Sequence, residues 1–179
     1  HLARGRVDLA FATGWNPNDF VLASDRYENR RNVLFAGIDT VRKLWRGEEI
    51  VRVNGQGRET AVRVYPRPYQ RDIATWITCS GGIERFQDAG RLGAHVLTAP
   101  LFQTPDELGA KIRAYRQARA EAGHDPATGQ VTLMLHAYLG SDLEQVRERV
   151  RGPFTRYLES SVDLWRHGSR DLAELSEKE

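Results

Sequence analysis

Hydrophobic positions change their period along the chain in a regular order. Val7, Leu9 and Phe11 alternate with polar neighbours in RVDLAFA, which predicts a strand over 6–12. It runs into Thr13-Gly14-Trp15-Asn16-Pro17, a turn-rich stretch. From Arg30 to Arg46 the spacing becomes helical, with Val33, Leu34, Ile38, Val41, Leu44 and Trp45 on one face and Gly47 as the stop. IVRV, Asn54-Gly55-Gln56-Gly57 and ETAVRV then read as a β-hairpin over 50–64, closed by Pro66 and Pro68. Next come a strand over 75–79 (TWITC), a helix over 83–92 stopped by Gly93, and a strand over 94–98 (AHVLT).

Two further helices carry start signals. Thr104 and Glu107 frame Pro105 as a capping box for a helix to Ala122, with Leu108, Ile112 and Tyr115 inward. VTLMLHAYL, 131–139, is almost wholly apolar and reads as a strand buried on both faces. Ser141 and Glu144 form a second capping box for a helix that Gly152-Pro153 should kink or break, with a helical pattern resuming from Phe154 to Trp165.

Strand-helix alternation argues for a parallel α/β sheet with right-handed crossovers. Periodicity leaves two architectures open, a doubly wound sheet and a (β/α)8 barrel. A barrel normally needs about 250 residues, so four units in a 179-residue chain amount to about half of one plus an inserted hairpin.

Composition narrows function mainly by exclusion. The net charge is +2, from 23 Arg and 3 Lys against 24 acids. The arginines alternate with acids, as in Arg147-Glu148-Arg149, which reads as a solvated face and not as a track for nucleic acid. No apolar run reaches the roughly 18 residues that span a bilayer, so no membrane partner is expected. The single cysteine, Cys79, rules out a disulfide framework and fits a reducing, cytoplasmic setting. Its expected role is a small buried hydrophobe. The histidines lack ligand spacing with carboxylates, so no metal is expected.

In either architecture ligands bind at the carboxyl ends of the strands. That rule selects Thr13 to Asn16, Cys79 to Gly82, Thr98 to Gln103 and His136 to Gly140. Ser80-Gly81-Gly82 reads either as a tight strand-to-helix turn or as a phosphate cradle, with glycine N–H groups, a serine hydroxyl and a helix N-terminus aimed at one place. Gly14 would let a flat cofactor approach the backbone and Trp15 would wall it; the alternative is a turn glycine beside a core tryptophan. Trp15, Phe102 and His136 are candidate substrate contacts, His136 being equally readable as a core histidine. No Walker or G-x-G-x-x-G motif follows a strand.

The stretches GRVDLAFATGWNPNDFVLASDRY, YPRPYQRDIATWITCSGG, AGRLGAHVLT, AYRQARAEAGHDP and VTLMLHAYLG, with Phe35 to Trp45 and Gly47, resemble luciferase-like flavin-dependent monooxygenases. They are most similar to the branch found as tailoring domains in nonribosomal-peptide synthetases, and they cover nearly all of 5–165 in order. The resemblance implies a (β/α)8 barrel, and reduced FMN as co-substrate. The phosphate would lie at Ser80, Gly81 and Gly82, and the flavin beside Ala12, Thr13 and Gly14. It implies oxygenation of a small or carrier-protein-bound metabolite, with reduced flavin supplied by a separate flavin reductase. The family's first strands and its last part have no counterpart here, so residues 1–179 are expected to be one domain truncated at both ends, and no catalytic residue is assigned. Where the family usually places a histidine after the Leu-Thr pair, Ala99-Pro100 follows Leu97-Thr98. A deazaflavin (F420)-dependent oxidoreductase of the same superfamily and a non-catalytic flavin-binding or assembly element are the alternatives. A partial barrel leaves open sheet edges, which favour a homo-oligomer.

Overall fold

A computed structural model describes residues 3–100 and 103–168. Six strands and four helices alternate in the expected order: β1 (Leu9–Phe11), α1 (Arg30–Arg46), β2 (Ile50–Val53), β3 (Glu59–Val62), β4 (Thr75–Thr78), α2 (Ile83–Arg91), β5 (His95–Thr98), α3 (Pro105–Glu121), β6 (Val131–Leu133) and α4 (Leu143–Gly168). The chain divides into two compact units. The first holds 1–12 and 32–135, the second 13–31 and 136–179.

In the first unit β1, β4, β5 and β6 form one sheet in that order, every pair parallel. The order never reverses, whereas a doubly wound sheet must reverse at its switch point. The sheet is therefore wound in one direction, as in a barrel, and the ambiguity left by periodicity is resolved as a partial (β/α)8 arrangement. Ile77 of β4 and Val96 of β5 share a core with Ile38 of α1, Phe86 of α2 and Tyr115 of α3, so all three helices cover the same face. The alternation of period two sends Trp76 and His95 to the other face. There they are register partners with ring centroids 4.7 Å apart, and Trp76 Nε1 donates to Asp8 Oδ2 at 2.9 Å.

Helices α2 and α3 meet at Gly90, where a Cβ would overlap the backbone of Tyr115 and Arg119. Behind that contact Arg119, only 6% exposed, donates to the carbonyls of Ala94 (3.2 Å) and Asp125 (2.9 Å) and to Thr128 Oγ1 (3.1 Å). Tyr115 Oη donates to the same Ala94 carbonyl at 2.8 Å. This arginine is not part of the solvated face. Its charge is buried because its donors find oxygen acceptors.

The hairpin β2–β3 closes through Asn54, whose Oδ1 accepts from the N–H groups of Gln56 (2.9 Å) and Arg58 (3.0 Å). The capping box of α3 forms with both halves, Thr104 Oγ1 accepting from Glu107 N and Glu107 Oε2 from Thr104 N at 2.7 Å.

Three expectations are corrected. VTLMLHAYL is not a strand buried on both faces: only Val131–Leu133 pairs, and residues 132–140 are exposed. Among the described residues β6 pairs with β5 alone, which leaves its other side uncovered. Ser141 does not cap the last helix. Asp142 does, its Oδ1 accepting from Glu144 N (2.9 Å) and Gln145 N (3.3 Å), because an acceptor-only carboxylate serves two orphan donors at once. Gly152-Pro153, expected to kink or break the helix, does not break it. Residues 143–168 are one helix with Pro153 inside, which forgoes the bond to the carbonyl four residues back.

Candidate active site

The parallel strands of the first unit present their carboxyl ends along one edge, as the registers Phe11↔Ile77 and Thr78↔Leu97 require. Backbone and hydroxyl groups stitch that edge together. Cys79 N donates to Leu97 O (2.9 Å), Thr98 Oγ1 to Cys79 O (2.6 Å) and Met134 N to Thr98 O (2.8 Å). Gln103 Nε2 donates to the Ala99 carbonyl (2.5 Å), and Lys111 Nζ to Gln103 Oε1 (3.0 Å), which ties Gln103 to the residue after β5 and to α3. The strand-end rule selects Thr98 to Gln103, but not that its two end residues fix this edge. A hydroxyl at the last residue of a strand next to a strand-ending cysteine is the signal that could have found the first.

Ser80, Gly81 and Gly82 lead from this edge into α2, and all three are exposed. Gly82 is the N-cap residue, with extended backbone and no side-chain cap. The first-turn N–H groups of α2 therefore have no capping side chain, which is the condition for anion binding at a helix start. A side chain on Gly81 would meet open space. On Gly82 it would overlap the carboxylate of Glu84, which folds back over the N-terminus of its own helix. The cradle thus has the donors that an anion needs, and the Glu84 carboxylate lies close beside Gly82.

Cys79, beside the cradle, is fully buried. Burial pushes its thiol up to about 12, and its Sγ lies 3.6 Å from the carbonyls of Ile77 and Arg85. A neutral thiol in that setting packs and does not attack. His95 is held below its ordinary value, first by burial and then by Arg119. Its Nδ1 accepts from Gln130 N at 3.1 Å, so it is the neutral tautomer with hydrogen on Nε2.

Ala12 follows β1 at the same edge and is exposed. Thr13, Gly14 and Trp15 belong to the second unit. Gly14 has φ +75°, and a Cβ there would come within 2.8 Å of the Phe20 ring, so both the turn and the close approach of Phe20 require glycine. Trp15 is 46% exposed, which removes the core reading. His136 is exposed too, not a core histidine, and packs edge-on against Tyr157 (centroids 4.6 Å) and Phe154 (5.6 Å). Phe102 lies outside the described residues. Among the described residues no three His, Cys, Asp or Glu side chains stand together as a metal site, and no helix is long and apolar enough to cross a membrane.

Comparison with known proteins gives a consistent picture. The chain is 26% identical over 125 residues to an uncharacterized protein of Mycobacterium tuberculosis, covering 70% of this chain and 43% of that protein. An uncharacterized protein of Mycobacterium bovis matches with the same figures. Among solved structures it is similar to monooxygenase RslO1 from Streptomyces bottropensis, with TM-score 0.72, 24% identity, and coverage of 93% of this chain and 52% of the other. It is also similar to an F420-dependent secondary alcohol dehydrogenase in complex with an F420-acetone adduct, with TM-score 0.59, 21% identity, and coverage of 74% and 41%. At these identities the likeness establishes the fold. The chain spans about half the length of the proteins it matches. The profile of luciferase-like monooxygenases matches residues 1–178, so with its singly wound parallel sheet the chain belongs to the luciferase-like monooxygenase family.

Proposed function

We propose that the chain contributes the flavin-phosphate side of an FMN-dependent monooxygenase that oxygenates a small or carrier-bound metabolite, as in the tailoring steps of nonribosomal-peptide assembly. The family match over 1–178 carries this reading. Ser80, Gly81 and Gly82 would hold the phosphate through backbone N–H groups and the serine hydroxyl, and the donor set fits that role. Ala12, Thr13 and Gly14 would border the flavin ring, with Trp15, Phe102 and His136 toward substrate.

When bound, reduced flavin with O2 supplies the oxygen that is transferred. The protein's part is to position the cofactor and keep water away. One helix N-terminus contributes about 0.3–2 kcal/mol toward an anion, whereas micromolar affinity needs about 8 kcal/mol. The cradle is thus an anchor that needs ring contacts to reach useful affinity. A flavin reductase is the expected partner, and the exposed strands β1 and β6 at the sheet's ends favour self-association.

Anaerobic titration with reduced FMN tests the reading: saturable binding that is lost in a Gly81→Asp variant supports it, and absence of binding rejects it. Glu84→Gln removes the competing carboxylate and should tighten FMN by a few-fold, the equivalent of about 0.3–1 kcal/mol. The likeness to an F420-dependent dehydrogenase favours a second reading, hydride transfer with deazaflavin. Tighter binding of reduced F420 than of FMN, with no oxygen uptake, would select it.

A further inference from the structure

The second unit carries a groove of about 520 Å³ between the segment at His136–Tyr138 and the middle of α4, within the 300–1,000 Å³ usual for small-molecule sites. We propose that it binds a planar aromatic carboxylate of one or two rings.

Phe154 and Tyr157 are three residues apart on α4 and so project from one side of the helix. Their planes differ by only 15° at 6.2 Å between centroids, which makes a platform of two near-parallel rings. His136 stands at 61° to both and closes one end. The rings are accessible to a guest: Phe154 is 41% and Tyr157 45% exposed, and Tyr138 across the groove is 48% exposed. A flat aromatic guest would stack on the platform and meet the edge of His136, the arrangement that ring quadrupoles favour.

Charge selects the guest further. Among the described residues Arg149 is the one arginine or lysine on the lining, and no carboxylate lines the groove. Its Nη1 donates to Tyr138 Oη at 3.1 Å, and among the described residues it makes no ion pair. That hydrogen bond raises the guanidinium above its ordinary value. One contact aims the group, and four of its five N–H donors remain for a bidentate acceptor such as a carboxylate. A carboxylate on the rim with its ring on the platform satisfies every feature of the groove.

Binding is measured on the flavin-free chain, so it fails or stands independently of FMN affinity. Titration with 2-naphthoate and with the neutral 2-naphthalenemethanol, followed by naphthalene fluorescence, is the experiment. Naphthoate should bind about threefold to fivefold more tightly than the alcohol, the size of one exposed charge contact. Arg149→Gln should abolish that preference and leave the alcohol unchanged. The double substitution Phe154→Leu, Tyr157→Leu should weaken both probes about tenfold, with an unchanged circular dichroism spectrum. Absence of saturable binding at millimolar probe, equal affinities in the native chain, or a preference that survives Arg149→Gln would overturn the assignment. So would displacement of naphthoate by FMN, which would give the groove to the cofactor.

Discussion

The first unit of this chain buries two large aromatic side chains completely, and the second buries none of those whose exposure is described. In the first, Phe86 and Tyr115 are fully buried and the sheet faces the helices with Ile77 and Val96. In the second, only Ser161 is buried among the residues whose exposure is described, while Phe154, Tyr157, Tyr138 and Leu139 face outward, Leu139 at 93%. Apolar burial at about 25 cal/mol per Å² is the main stabilising term of a domain. The first unit thus closes around a core of its own, whereas the described apolar side chains of the second face outward.

The contrast can be broken by mutation. Phe86→Ala should cost about 3–5 kcal/mol of unfolding free energy, whereas Tyr157→Ala should cost under about 0.5 kcal/mol. Similar losses for the two in urea denaturation would erase the distinction. Gly90→Ala should cost about 1–3 kcal/mol, because the added methyl meets the α3 backbone and not a movable side chain. Thr104→Ala removes the hydroxyl that accepts from Glu107 N, while the backbone N–H of position 104 keeps its bond to Glu107, and should cost about 0.5–2 kcal/mol, again in the first unit.

A further effect is one of pH, and it appears only above pH 9. The Cys79 thiol is raised to about 12 from 9.0 in the open chain. A raised value means that its contribution is fully present below pH 9 and is lost as pH climbs toward 12, since the unfolded chain ionises first. Stability should fall across that window by at most about 1.4 kcal/mol per pH unit from this group, and the fall should be shallower in Cys79→Ala. The same burial predicts that Cys79 resists iodoacetamide at pH 8 until the chain unfolds.

Much of the architecture was legible because it depends on local rules. The 3.6-residue spacing fixed α1 at Arg30–Arg46, and Thr104-Pro105-Glu107 fixed the start of α3. Asn54 and Gly57 gave the hairpin, and Gly47 the end of α1. Nonlocal features escaped. Arg119 looked like one more charged position on a helix, and only the arrival of the Ala94 and Asp125 carbonyls from other segments made it a buried hub. VTLMLHAYL is apolar enough for a central strand, yet composition does not say how many neighbours a strand will have.

The candidate site divides along the same line. The sequence determined which loops end strands, and with the family resemblance it determined that Ser80-Gly81-Gly82 is the place to look for a phosphate. Tertiary structure decided the rest: that the sheet winds in one direction, that Glu84 leans over the cradle, and that His136 joins Phe154, Tyr157 and Arg149 around a groove. Propensity, capping and turn chemistry act within a few residues and can be read in order along the chain. Strand neighbours and the company a side chain keeps depend on contacts between residues distant in sequence, such as His136 and Tyr157, which no local pattern specifies.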